Sequence, residues 1–131
     1  MVPDAESVIV AYLRDEAFRV STATPDDRED PWVRVTLLDD SSTDGGITDH
    51  HIEAFLQIDC YAGTAENSSV VASDLSIDVR EALRTMKDAV LDGAVVTGAQ
   101  SSRTHVPDTA IGEAALERYI LQSTVYMHAR Y

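Results

Sequence analysis

The stretch "FLQIDCYAGTAENSSVV", Phe55 to Val71, sets the fold: an alternating run stops at Ala62-Gly63, and a helical pattern starts within a few residues. From His51 to Ala62 the alternation is unbroken. Ile52, Ala54, Leu56, Ile58 and Cys60 share one face, and His51, Glu53, Phe55, Gln57, Asp59 and Tyr61 share the other. Successive strand residues point to opposite sides, and charged groups are rarely buried unpaired, so the first set is the expected core face. Beyond the junction, a helix starting between Thr64 and Ser69 and ending near Gly93 is expected. Its stripe is Val71, Leu75, Val79, Leu83, Met86 and Val90, stepping by three or four. Ile77 lies roughly opposite that stripe and points outward.

Working outward, Ala5, Val8, Ile9, Tyr12 and Leu13 form one apolar stripe, which predicts a helix over residues 4–16. Asp4 suits its cap and Glu6 the positive end of its dipole. "AFRVSTATP" reads as a short extended piece ending at Pro25. Trp32 to Leu38 alternates and is rich in β-branched residues, so it predicts a strand. Between it and His51, "DDSSTDGGITD" is turn chemistry, which makes an antiparallel hairpin the default. "AVVTGAQSSRTHVPD" and "LERYILQSTVYMHARY" supply two further strands, with a glycine irregularity in the first. The expected class is α+β: a single antiparallel sheet of about four strands with two helices packed on it, in the order α-β-β-α-β-β. No repeat or long linker divides residues 1–131, so one domain is expected.

The chain has 131 residues, 44% of them hydrophobic and 25% charged, an ordinary globular balance. Ten cationic side chains against 23 carboxylates leave −13, and nine of the ten cations are arginine. Such a balance argues against sequence-independent phosphate binding, which rests on clustered positive charge. Cys60 is the lone cysteine, so no intrachain disulfide forms and a reducing compartment is the easier expectation. The first residues show no basic region followed by an apolar stretch, so no signal peptide is read there. No apolar run approaches the ~20 residues of a membrane span. The Asn67-Ser68-Ser69 sequon carries no weight without secretion.

Several motifs invite a chemical reading. Asp40, Ser42, Asp44 and Gly45 match the opening positions of an EF-hand calcium loop, but His51 stands where a bidentate glutamate is needed. The flanks also read as strands, so a plain hairpin loop is preferred. Asp49, His50, His51 and Glu53 suggest a transition-metal site, yet on a strand only His51 and Glu53 share a face. A third ligand would have to come from elsewhere, such as His128 or His105. Cys60 falls on the apolar face, where free cysteine behaves as a small hydrophobe rather than a nucleophile. The carboxylate pairs Asp39/Asp40, Asp26/Asp27 and Glu29/Asp30 lie in polar loops, where the shifted pKa values of acid–base catalysis are not expected. Phe55, Tyr61 and Tyr126 share sheet faces with polar groups, an arrangement that suits solvent or a protein partner.

Taken together, "PWVRVTLL", the hairpin into "AFLQIDCYAGTAENSSVVASDLSIDVREAL" and the closing "ERYILQSTVYMHAR" resemble the tail terminator (tail completion, minor tail) proteins of long-tailed bacteriophages. The likeness runs from Val8 to Arg130 and rests on element order and diffuse patterns. It implies a non-enzymatic structural protein without catalytic residues, metal or cofactor. Such a protein forms a ring, typically hexameric, that caps the finished tail tube and offers a platform for the head–tail connector. The implied partners are further copies of the chain, the major tail tube protein and the connector, with DNA passing through the ring and no membrane involved. The implied place is the tail-neck region of a virion, after assembly in the host cytoplasm. Under this resemblance Phe55, Tyr61, Ile77 and Tyr126 are the interface candidates. Asp26, Asp27, Asp39, Asp40 and Asp44 are candidates for an acidic lumen or ring end. Another neck component, such as a head-completion protein, is the nearest alternative, and a small metal-binding enzyme a more distant one.

Overall fold

The computed structural model describes residues 5–16, 18–22, 31–44, 50–62, 68–86, 90–91, 94–111 and 114–129. The elements in chain order are α1 (Ala5–Asp15), β1 (Val20–Ser21), β2 (Trp32–Asp44), β3 (His50–Ala62), α2 (Ser68–Arg84), β4 (Val90–Leu91), β5 (Ala94–Ile111) and β6 (Ala114–Ala129). All the strands join one sheet in the order β1-β2-β3-β6-β5-β4.

The α+β class holds, but six strands replace the expected four or so. The two additions are the two-residue strands at the margins. β1 runs parallel to β2, pairing Val20 with Val33 and Ser21 with Arg34, so the sheet is not wholly antiparallel. β4 pairs Val90 with Val95 and Leu91 with Ala94. That pairing corrects the expected end of α2, which had carried the helix through Val90 towards Gly93. The Thr85 hydroxyl donates 2.9 Å back to the Ala82 carbonyl, a local bond that competes with helix continuation. Asp92-Gly93, a dipeptide favoured in two-residue hairpin loops, stands in sequence between Leu91 and Ala94.

Both helices pack on the same face of the sheet, because the apolar stripes need one shared interior. Ala5, Val8, Ile9, Tyr12 and Leu13 of α1 are all buried, as their spacing predicts. They join Val33 and Val35 of β2, all five predicted core residues of β3, Leu121, Val125 and Met127 of β6, Val79 and Leu83 of α2, and Met86 in the turn that follows α2. The α2 stripe is rotated from the expected one at its start. Val71 is 36% exposed, whereas Ala72 and Ser76 are fully buried. A bond of 3.1 Å between Tyr12 OH and Thr85 Oγ1 ties α1 to the turn that follows α2. Arg103 of β5 donates to the Ser73 and Ser76 hydroxyls, each at 3.1 Å, and lies over the Tyr119 ring. This pins α2 to the sheet and explains how Ser76, outside the expected apolar stripe, can be fully buried.

Candidate functional site

The sheet face away from the helices holds most of the exposed candidates, and it divides into two parts. At one end, Trp32, Tyr61 and Arg118 occupy one row across β2, β3 and β6, and Arg34 and Asp59 begin the next. Trp32 and Tyr61 stack with centroids 4.8 Å apart and planes 15° from parallel. The guanidinium carbons of Arg34 and Arg118 each stand 5.9 Å from the Tyr61 ring centre. Asp59 has no exposed surface, and each arginine reaches one of its oxygens at 3.5 Å. Gln57 Nε2 donates to both oxygens, at 3.1 and 3.3 Å. Two cations and an amide donor thus surround one carboxylate, the arrangement that makes a buried charge tolerable.

This cluster corrects the expectation that only one face of β3 is buried. Asp59 and Tyr61 lie on the face assigned to solvent, yet Tyr61 is only 1% exposed. Its ring is spent inside the protomer, against Trp32. The junction after Ala62 therefore begins from a strand end packed on both faces, with the α2 core on one side and this cluster on the other.

Farther along, the same face is open. Phe55 sits between Asp39 and Thr124 in register and is 37% exposed. The ladder shifts between Leu37 and Asp39, and Leu38 at that irregularity is also exposed. An open depression of about 340 Å³ lies beside them, lined also by Ser102, Gln122 and Thr124. Tyr126 is half-buried on this face, opposite Gly98. A second exposed apolar group lies on the other side of the molecule, where α2 presents Val70, Val71 and Ile77. Ile77 is 42% exposed and points outward as its helical phase requires.

Cys60 is buried in the helix-covered core. Burial pushes its thiol up, the Asp59 carboxylate adds to the rise, and Arg103 opposes it. A thiol held protonated in this way is a packing group, not a nucleophile. The segment with the EF-hand-like spacing belongs to a hairpin, with Asp44 paired to His50 at its last described rung. The side chains of Asp40, Asp44, His50, His51 and His128 lie outside the described residues, as do Asp26 and Asp27 altogether. Asp39 is exposed. Among the described residues no group of three or more histidine, cysteine, aspartate or glutamate side chains could hold a metal ion. No described helix is long and apolar enough to cross a membrane.

Neither a protein-family model nor a curated protein sequence matches the chain. Solved structures do match, and one is a chain from the virion of a native gene transfer agent (GTA) particle. It is 16% identical, the match covers 95% of this chain and 87% of that one, and the TM-score is 0.58. At that identity the likeness is one of fold, and it takes in both helices and the sheet.

Proposed function

We propose that this chain is a structural subunit of a phage-like virion, and within it a tail terminator: a ring that caps the tail tube, ends its polymerisation and offers a surface for head–tail joining. The observation that carries the reading is the fold likeness to a virion chain along 95% of the sequence. The protomer's surfaces agree with it. A ring is built from one heterologous contact repeated until it closes, so each subunit must present two different patches. Exposed apolar groups occur on two opposite sides, Leu38 and Phe55 on the open sheet face and Val70, Val71 and Ile77 on α2. Phe55, Ile77 and Tyr126 are the residues assigned to contacts with neighbouring copies or with the tube. Tyr61 supports its strand end from within.

The charge also fits. Double-stranded DNA must pass such a ring, and a net charge of −13 keeps the wall from holding phosphates. The acidic stretch that includes Asp26 and Asp27 is assigned to the lumen or a ring end.

The test is addition of purified protein to growing tail tubes made from the major tail tube protein of the same particle. Tubes should stop elongating and carry a ring-shaped cap at one end in negative-stain images. Continued growth with no bound protein overturns the terminator assignment, and binding to the head connector in place of the tube end makes the chain a head-completion protein.

A further inference from the structure

The two margins of the sheet are left open to different extents, and their open stretches are flanked by opposite charge. β5 is 18 residues long, yet among the described residues its outer side takes ladder partners only at Ala94 and Val95, from β4. From Val96 to Thr104 no described strand lies beside it. Pro107 lacks an N–H and closes that stretch. On the opposite margin, among the described residues, β2 takes outer ladder partners only at Val33 and Arg34, from β1. At Leu37 a side chain replaces the missing strand: Glu6 of α1 accepts the Leu37 N–H at 3.1 Å. From Asp39 to Asp44 no described strand flanks β2 on that side.

Unpaired edges of this length are templates for another strand, and natural proteins usually block them with lysine, proline or a covering element. Here the β5 edge is flanked by arginine. Arg80 and Arg84 of α2 line an open groove of about 330 Å³ with Ala99, Gln100 and Ser101 of β5. Arg103 comes from the same strand. Arg80, Arg84 and Arg103 thus gather beside the open stretch of this margin, whereas Arg14, Arg19 and Arg34 of the other margin lie at its β1 end, away from Asp39–Asp44. Arg84 also pairs with Glu81 at 3.7 Å, but both are largely exposed, so that pair holds it weakly. The Asp39–Asp44 edge of β2 carries three aspartates and no cation.

We infer that neighbouring copies of this chain join edge to edge, the Asp39–Asp44 edge of β2 lying along the Val96–Thr104 edge of β5 in the next copy, beside Arg80 and Arg84. The inference rests on the ring reading and names its contact. Backbone pairing supplies the adhesion and the charges supply the choice of edge. A β5–β5 contact would set arginines against arginines, and a β2–β2 contact aspartates against aspartates. The favoured pairing is therefore head-to-tail, the kind that closes into rings.

Two charge reversals test it: Arg80→Glu with Arg84→Glu, and Asp39→Lys with Asp40→Lys. Each variant alone should associate on the order of tenfold or more weakly than the parent by sedimentation, a loss of about 1.4 kcal/mol or more. An equimolar mixture should regain assembly, because the acidic β5 margin of one variant then meets the basic β2 margin of the other. In the assembled parent, amide exchange at Val96–Thr104 should slow relative to the dissociated protein. That measurement stands even where a variant fails to fold. Variants that assemble like the parent, or Val96–Thr104 amides equally fast in both states, overturn the edge contact and leave the ring reading intact. A parent that stays monomeric even at tail-tube ends removes both.

Discussion

The two faces of this sheet are buried by different physics. The helix-covered face is mainly apolar, with Val33, Val35, Leu56, Ile58, Leu121 and Val125 under α1 and α2, and its buried serines, Ser76 and Ser123, are hydrogen-bonded. The opposite face is buried mainly where Trp32, Tyr61 and Asp59 meet two arginines, and it is open at Phe55 and Leu38. The first burial is non-directional, so any apolar side chain of suitable volume serves. The second depends on particular partners, because a carboxylate out of water needs its cations and donors in place. The lesson is that one strand, β3, is anchored twice near Ala62 but only once near Phe55. Its exposed half is thus left available for contact.

The largest expected effect removes the polar anchor. Asp59→Ala leaves Arg34 and Arg118, 29% and 21% exposed, facing each other without their shared counter-charge. It should cost about 3 kcal/mol, the lower end for breaking a buried pair, since both arginines retain some access to water. Urea unfolding with an unchanged m-value is the measurement. The triple change Arg34→Met, Asp59→Leu and Arg118→Met should lie within about 1 kcal/mol of the parent, because a well-packed apolar set can replace a buried ionic one. If Asp59→Ala alone were neutral, the two faces would not differ in the way argued.

A pH experiment probes the boundary between the faces. Cys60 points into the apolar core, while its neighbour Asp59 belongs to the polar cluster. Its folded-state thiol titrates above the ordinary value of 9.0, so the unfolded chain ionises first as pH rises. The stability linked to this protonated thiol is complete below about pH 9 and declines above it, by up to about 1.4 kcal/mol per pH unit. Cys60→Ala should lack that component. Comparing urea midpoints of the two proteins between pH 8 and pH 10 isolates it from other alkaline titrations. Parallel curves would mean that Cys60 is not held in the dry core.

How far the sequence discloses this asymmetry depends on the kind of burial. The α1 stripe and the core face of β3 are legible because apolar side chains recur at the element's own period. Ile77 is legible as an outward residue for the same reason. The burial of Asp59 is not, because its partners Arg34 and Arg118 lie 25 and 59 residues away and meet it only through strand register. Ser76 is similar: it is polar by type, yet Arg103 of β5 satisfies it. The rotated start of α2 follows, since Ala72 and Ser76 give a weaker apolar signal than the exposed Val71. β4 is a different case. Asp92-Gly93 is a hairpin signal in the sequence, and Val90 falling in phase with the helical stripe competes with it. The assembly candidates follow the same division. Phe55 is placed on a mixed face by alternation alone, whereas the burial of Tyr61 on that same face depends on Trp32 opposite it.

The smallest expected effect on stability is at Phe55, and it separates folding from assembly. Phe55 is 37% exposed and meets Asp39 and Thr124 across the ladder, so less apolar surface leaves water when the protomer folds than at a core aromatic. Phe55→Ser should lower stability by less than about 1 kcal/mol, the range of a cross-strand pair. A residue buried between subunits costs far more when truncated in the assembled state, often 2 kcal/mol or more for an aromatic anchor. Under the proposed capping role, the variant should therefore unfold close to the parent as a monomer and yet cap tubes on the order of thirtyfold less well at equal concentration. A fall in monomer stability as large as that of Asp59→Ala would place Phe55 with the protomer's own packing and erase the contrast along β3. Unchanged capping with unchanged stability would leave the ring bound through the edges and α2 alone, with the open face turned to solvent.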